Sequence, residues 1–299
     1  MKGETSAEVT GFAETMRMHA REISCSAGAM IDTCGTGGDC KGTFNVSTTT
    51  AFVLAGAGLT VAKHGNRGVS SSCGSADVLT ELGVNVDLSP EMVTRSIDSL
   101  NIGFLYAPVF HTAMKHAAKT RKDLGFRTVF NLLGPLTNPA NASCQLLGVY
   151  DGALTDKVAE SLIGLGVQRA MVVNSLDGLD EISTAAPTKV TEVDNGSIKS
   201  YTINPEDYGF TAVSINDYRG GTPAENAAII MSLLHGTAGA KRDIVLINAA
   251  AALVVGGLAQ DIRDGINLAA HSIDSGAALA RLEALKQFSR QFREGKLLL

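Results

Sequence analysis

The residues Asp32-Thr33-Cys34-Gly35-Thr36-Gly37-Gly38-Asp39, followed by Thr43-Phe44-Asn45-Val46-Ser47-Thr48, bring together groups that bind anions. Gly35, Gly37 and Gly38 let successive backbone N–H groups converge on one point, because no Cβ blocks the approach. Asn45, Ser47 and Thr48 lead into an apolar helix expected over Thr49–Ala57. Hydroxyls and free N–H groups at a helix N-terminus form a ready phosphate site. The spacing matches neither G-x-x-x-x-G-K-[ST] nor G-x-G-x-x-G. The competing reading is a tight turn that merely needs glycine. Against it stand the third glycine, the trailing Asp39 and the Ser/Thr-rich helix start, which together favour phosphate.

A second loop of the same kind, Lys63-His64-Gly65-Asn66-Arg67-Gly68-Val69-Ser70-Ser71-Ser72, follows a strand expected over Leu59–Ala62 and precedes a helix from Ser75. Two cations, two glycines and three hydroxyls at the carboxyl end of a strand make another anion-binding loop, because ligands of such sheets lie there. Two phosphate loops so close together imply a substrate with two separated phosphate groups. His64 reads equally well as a structural histidine. The third element, Leu176-Asp177-Gly178-Leu179-Asp180-Glu181-Ile182, places adjacent carboxylates after a strand expected over Ala170–Val173. Alone it reads as an acidic surface turn. Beside two phosphate loops it reads as a magnesium site, since a hard cation bridges carboxylates to substrate phosphates.

These loops need a scaffold, and the pattern around them alternates strand and helix. Helices are expected at Ala51–Ala57, Ser75–Leu82, Thr155–Leu165, Pro223–Leu234, Lys241–Val255 and from Ile262 onward. Such alternation predicts an α/β fold with a largely parallel sheet flanked by helices. Thr5 and Glu8 form a capping box for an opening helix whose Val9, Phe12, Met16 and Met18 recur near helical spacing. Little neighbouring sequence is available to pack on that stripe. Ser89-Pro90 opens another helix, and a basic one is expected over Val109–Lys122, with a solvated face as its plainer explanation. The expected division is 1–25 as part of a small helical domain and 26–299 as the α/β domain. Segment 88–124 would be a helical stretch packing on the former.

Composition narrows the classes. The chain has 299 residues, 45% hydrophobic and 18% charged, with 32 glycines. It is long enough to bury a substantial core. A net charge of −5 disfavours a duplex-coating role. Cys25, Cys34, Cys40, Cys73 and Cys144 form no C-x-x-C pair, so zinc and a disulfide framework are not expected and a reducing cytoplasm fits. The apolar run from Ile244 to Ala259 is interrupted by Asn248 and Gly256-Gly257 and reads as a buried helix. Met1–Arg21 lacks the apolar region of a signal peptide.

With these motifs in order, the chain resembles the anthranilate phosphoribosyltransferases essentially end to end. The resemblance is carried by Gly35–Asp39, Phe44–Thr48, Lys63–Arg67, Arg127–Leu136, Asp177–Glu181 and Asn226-Ala227. It implies a small helical domain beside a larger α/β domain of the nucleoside phosphorylase and phosphoribosyltransferase class. It implies phosphoribosyl pyrophosphate (PRPP) at Gly35, Gly38, Asp39, Thr43, Asn45, Val46, Ser47, Thr48, Lys63, His64, Gly65, Asn66, Arg67, Gly68, Val69, Ser70, Ser71 and Ser75. It implies anthranilate at Gly35, Asn66, His111, Arg121 and Pro135, and Mg2+ at Ser47, Asp180 and Glu181. No covalent or acid–base residue is implied, because an aromatic amine is already a neutral nucleophile. A cytoplasmic homodimer without nucleic-acid or membrane partners is expected.

Two local departures stand out: Thr112 lies where the family usually has Pro, and Asn174-Ser175 where it commonly has His-Gly. Relatives are also expected to carry further helices ahead of Met1 that help build the helical domain and dimer interface. The alternatives are a pyrimidine nucleoside phosphorylase and a non-catalytic nucleic-acid-binding paralogue. Asp180-Glu181 and Arg121 favour the transferase, because phosphorolysis needs neither a leaving pyrophosphate nor a carboxylate clamp.

Overall fold

The computed structural model describes residues 3–26, 28–68, 72–114, 116, 123, 128–211 and 213–291. Seven strands, β1 (Ile31–Gly35), β2 (Val61–Gly65), β3 (Ile102–Tyr106), β4 (Cys144–Gly148), β5 (Arg169–Ser175), β6 (Thr188–Asp194) and β7 (Ser197–Ile203), make one sheet. Their order is β3-β2-β1-β4-β5-β6-β7. The first five are parallel, and β6 and β7 extend the sheet as an antiparallel hairpin. The parallel strands are buried along nearly their whole length because both faces are covered, although β1, β2 and β4 carry the polar residues Asp32, Thr33, Lys63, His64 and Gln145 among the apolar ones. Leu146 and Met171 enter one core layer, whereas their neighbours Leu147 and Val172 enter the other.

One layer holds α2 (Val46–Ala57), α3 (Ser75–Glu81), α8 (Pro223–Leu234), α9 (Ala240–Val255), α10 (Ile262–Asp274) and α11 (Ala277–Arg290). The opposite layer holds α1 (Ser6–Met18), α4 (Pro90–Leu100), α5 (Ala107–Phe110), α6 (Phe130–Leu136) and α7 (Thr155–Gly164). The largely parallel α/β class expected from sequence is the one observed. From β1 the chain crosses to β2 on one side, while from β4 it crosses to β5 on the other. That divergence opens a crevice beyond the carboxyl ends of β1 and β4, where α/β sheets bind ligands.

Several boundaries differ from expectation. The strand expected over Leu59–Ala62 runs over Val61–Gly65, so Lys63, His64 and Gly65 are strand residues rather than loop. Likewise Asp32–Gly35 belong to β1, and the glycine loop begins at Thr36. Helix α2 starts at Val46, which puts Ser47 and Thr48 in its first turn. The helix expected over Val109–Lys122 is interrupted: α5 ends at Phe110, His111 leaves helical geometry, and a short 3₁₀ turn spans Thr112–Met114. Of the rest of that segment, only His116 is described. Part of the α1 stripe finds partners: Val9 is fully buried with Leu133, Leu136, Val158 and Leu162, Met16 packs against that cluster, and Ala13, outside the expected stripe, is buried with them. Phe12 and Met18 remain exposed.

Candidate functional site

The crevice is built from backbone outward. Gly35 and Gly148 lie side by side at the ends of β1 and β4. The turn after β5 folds over both. A Cβ at Gly148 would stand 1.5 Å from the Asp180 carbonyl oxygen, and one at Gly35 would stand 2.4 Å from Asp180 Oδ2. Two glycines therefore admit the acidic turn to the strand ends. The turn is then tied down: the Gly37 N–H donates to Asp180 Oδ2 at 2.9 Å. Gly37, Gly38 and Gly42 all have positive φ, so this loop uses the conformational freedom its composition suggested.

Asp39, Ser47, Lys63, Asp180 and Glu181 converge here. Burial, then the Asp39 charge, raises Asp180 from the ordinary 3.8 to about 7. Burial, then Asp180, pushes Glu181 well up, although Lys63 and the Ser47 N–H oppose this. The Ser47 N–H belongs to the first turn of α2, so a carboxylate already sits at that helix N-terminus, the place suited to an anion. Asp39 Oδ2 is buried without a hydrogen-bond partner. Repelling carboxylates and an unsatisfied oxygen form a hard donor set suited to Mg2+. Among the described residues no three His, Cys, Asp or Glu side chains close on one point. A cation here would therefore complete its shell with water and substrate oxygens.

Lys63 reaches from β2 beneath β1, donating to the Thr33 carbonyl and, at 3.3 Å, to Ser47 Oγ. Burial lowers its pKa while Asp32, Cys34 and Glu181 hold it up. Asp32 itself is raised by burial. It accepts from the His64 N–H at 3.1 Å and from Asn138 Nδ2 at 2.8 Å, which cross-links β1, β2 and the chain after α6. Asp32 opens the glycine motif but the sequence assigns it no role of its own, and Asn138 carries no sequence signal; a charged residue inside an otherwise buried strand is the signal that marks Asp32. Burial and Asp32 push the Cys34 thiol well up, away from thiolate chemistry.

A second group of expected residues surrounds the start of α3. Thr48 Oγ1 donates to Ser75 Oγ at 3.1 Å, joining the N-terminal turns of α2 and α3. Asn45 Nδ2 donates to the Cys73 carbonyl, and Asn226 Nδ2 donates to Asn45 Oδ1. Val46 buries its side chain in the core and offers only backbone, and Thr43 bridges to Arg219. Asp77, which sequence reasoning missed, organises the second loop. It accepts from Arg67 Nη1 at 2.9 Å, the Gly68 N–H at 2.8 Å and the Gly74 N–H at 2.9 Å. Burial raises Asp77, but the two N–H groups and Arg67 outweigh it and leave its pKa low. Arg67 also donates to Tyr106 Oη, so its guanidinium is held at the rim. Asn66 accepts the Ala76 N–H through its carbonyl. Val69, Ser70, Ser71 and Arg121 lie outside the described residues.

A third group lies on the opposite face of β2. The rings of His64 and His111 stand 5.2 Å apart. Burial, then His111, lowers His64 to about 3, and burial lowers His111. Both imidazoles are therefore neutral near pH 7, and the Nε2 atom of each is buried without a partner. Pro135, in the last turn of α6, is buried nearby, with the adjoining Gly134 carbonyl against His64. The structure thus joins two glycine-rich loops, a metal-suited carboxylate group and a buried pair of neutral imidazoles beside Pro135.

Residues 27–279 match the family model described as "Glycosyl transferase family, a/b domain". The chain is 53% identical over 290 residues to the anthranilate phosphoribosyltransferase of Desulfatibacillum aliphaticivorans, covering 97% of this chain and 86% of that one. It is 55% identical over 285 residues to the Moorella thermoacetica enzyme, covering 95% and 84%. The solved anthranilate phosphoribosyltransferase of Thermus thermophilus superposes with a TM-score of 0.92 at 42% identity, over 97% of this chain and 86% of that one. The Saccharomyces cerevisiae enzyme in complex with PRPP and Mg superposes with 0.89 at 30% identity, over 96% and 81%.

Proposed function

The chain belongs to the anthranilate phosphoribosyltransferase family, and from that premise we propose how its own residues carry the reaction. The enzyme transfers the phosphoribosyl group of PRPP to the amine of anthranilate and releases pyrophosphate, with Mg2+ as cofactor. The observation that carries the residue assignment is the convergence of Gly35–Asp39, Ser47, Lys63, Asp180 and Glu181 at the ends of β1 and β4.

In this reading the N–H groups of the glycine loop and of the first turn of α2 receive the pyrophosphate, and Lys63 adds charge beside Ser47. Gly35, Gly38, Asp39, Thr43, Asn45, Val46, Thr48, His64, Gly65, Asn66, Arg67, Gly68 and Ser75 complete the PRPP side, with Val69, Ser70 and Ser71. Ser47, Asp180 and Glu181 hold Mg2+, which when bound neutralises charge on the departing pyrophosphate. As the amine nitrogen bonds to the ribose carbon, the carbon–oxygen bond breaks and its electron pair leaves with pyrophosphate. The amine proton is released afterwards. No residue need form a covalent bond, and preorganised charge supplies the main stabilisation. On the acceptor side Asn66, His111, Pro135, Arg121 and the Gly35 backbone hold anthranilate. Arg121 suits its carboxylate because guanidinium pairs bidentately.

We further propose that α1 belongs to a helical domain and that the protein acts as a cytoplasmic homodimer without nucleic-acid partners. The exposed Phe12 and Met18 and the net charge of −5 support this. No helix of the described residues is long and apolar enough to cross a membrane. The direct test is loss of anthranilate fluorescence on adding PRPP, with and without Mg2+. Mg2+-dependent loss is the expected result. No loss from folded protein with both substrates and Mg2+ would overturn the assignment.

A further inference from the structure

The end of α6 presents four consecutive carbonyls, and each meets a side chain from a different element. The Gly134 carbonyl lies against the His64 imidazole of β2. The Pro135 carbonyl accepts from Gln145 Nε2 of β4 at 2.7 Å. The Leu136 carbonyl accepts from Arg17 Nε of α1 at 2.9 Å. The Thr137 carbonyl lies against the His111 imidazole that follows α5. The last carbonyls of any helix lack intrahelical donors. Here, beside the local bonds from the Thr137 N–H and hydroxyl to the Gly134 carbonyl and a Cys34 Sγ contact at 3.9 Å to the Pro135 carbonyl, they are met by the two neighbouring imidazoles and by two donors from α1 and β4.

We propose that Arg17 and Gln145 are positioning residues for the aromatic acceptor. They fix the Gly134–Thr137 turn, and the turn in turn fixes the His64 and His111 rings and the Pro135 wall. Gln145 is 3% exposed. It uses its other amide hydrogen on Cys34 Sγ at 3.2 Å, so it also fastens the turn to β1 just before Gly35. Arg17 is doubly held, because Nη1 donates at 3.2 Å to the Leu165 carbonyl that ends α7. Its charge sits between two helix C-termini, where a cation is favoured. That charge also reaches His64 and helps keep the ring neutral. Lysine cannot reproduce the two-directional grip, since it lacks the planar fork. The turn is thus clamped from α1 on one side and from the sheet on the other.

This inference rests on the anthranilate assignment only for its kinetic arm. Arg17→Lys and Gln145→Met are compared with wild type by KM for each substrate, kcat and thermal melting. The expected result is a rise of roughly tenfold in the KM for anthranilate, with the KM for PRPP within about twofold of wild type. The second arm needs no substrate: the imidazole 15N resonances of His64 and His111 are followed by NMR in all three proteins. Shifts at both rings with other histidines unmoved are expected. Unmoved rings, or both KM values rising together in proportion to lost melting temperature, would overturn the proposal. Wild type that fails to turn over anthranilate while the variant rings still shift would instead overturn the functional reading alone.

Discussion

At the scale of single residues, the site depends on atoms that are missing as much as on those present. Gly148 carries no chemistry, yet any side chain there would meet the Asp180 backbone, which cannot swing aside as a flexible side chain would. We expect Gly148→Ala to push the acidic turn outward and to lower kcat/KM by about 100-fold, the order of loss for a misplacement near 1 Å. Overpacking should cost about 1–3 kcal/mol in stability. Steady-state kinetics with a denaturant melt checks both, and a variant with wild-type kcat/KM would show that the turn tolerates displacement.

At the scale of elements, loops are ordered by side chains from the helices they precede. Asp77 lies in the first turn of α3 and draws back three donors from the chain between Arg67 and Gly74. Removing a charged acceptor costs about 1.5–3 kcal/mol. Asp77→Ala should therefore lower stability by that order and raise the KM for PRPP several-fold, leaving the KM for anthranilate nearly unchanged. Chemical denaturation and separate titration of the two substrates read this. Equal increases for both would place Asp77 outside the PRPP side. The signal was present in the sequence, where Asp77 stands two residues after the expected helix start at Ser75, but its partners Gly68 and Gly74 are visible only once the loop closes.

At the scale of the whole molecule, burial of like charges couples stability to pH and to the cation. Asp180 is raised from 3.8 to about 7, chiefly by burial and then by Asp39. Between those values the folded chain binds more protons than the unfolded chain, so this group's contribution to stability falls as pH rises through the window. Above about pH 7 the whole penalty is felt. In the proposed placement a divalent cation would bind the ionised form and relieve it. The gain in Tm on adding Mg2+ should accordingly be larger near pH 8 than near pH 5.5, as read by calorimetry or dye-monitored melting. A gain that is larger at the acidic pH would contradict the placement of the cation among these carboxylates.

The α/β class, the glycine-rich loops and the acidic turn were legible along the chain, because each rests on local chemistry: glycine's missing Cβ, hydroxyls at a helix start, adjacent carboxylates. The capping box at Thr5 and Glu8 and the Ser89-Pro90 start were legible for the same reason and are observed. The β6–β7 hairpin has a local signal too, the Asn195-Gly196 pair, whose residue types favour the positive φ that both adopt. Tertiary structure alone decided the rest. Lys63 and His64 continue a strand because they pair with Phe104 and Leu105 of β3, which local composition does not reveal. The basic helix breaks at His111, where the imidazole ring turns to His64 and the Thr137 carbonyl. The surroundings of His64 and of the turn after α6 are tied by Asp32, Asn138, Gln145 and Arg17, far apart in the chain and joined only where strands, helices and turns meet. Their hydrogen bonds form because buried polar groups must find partners, and the fold chooses which partners are within reach.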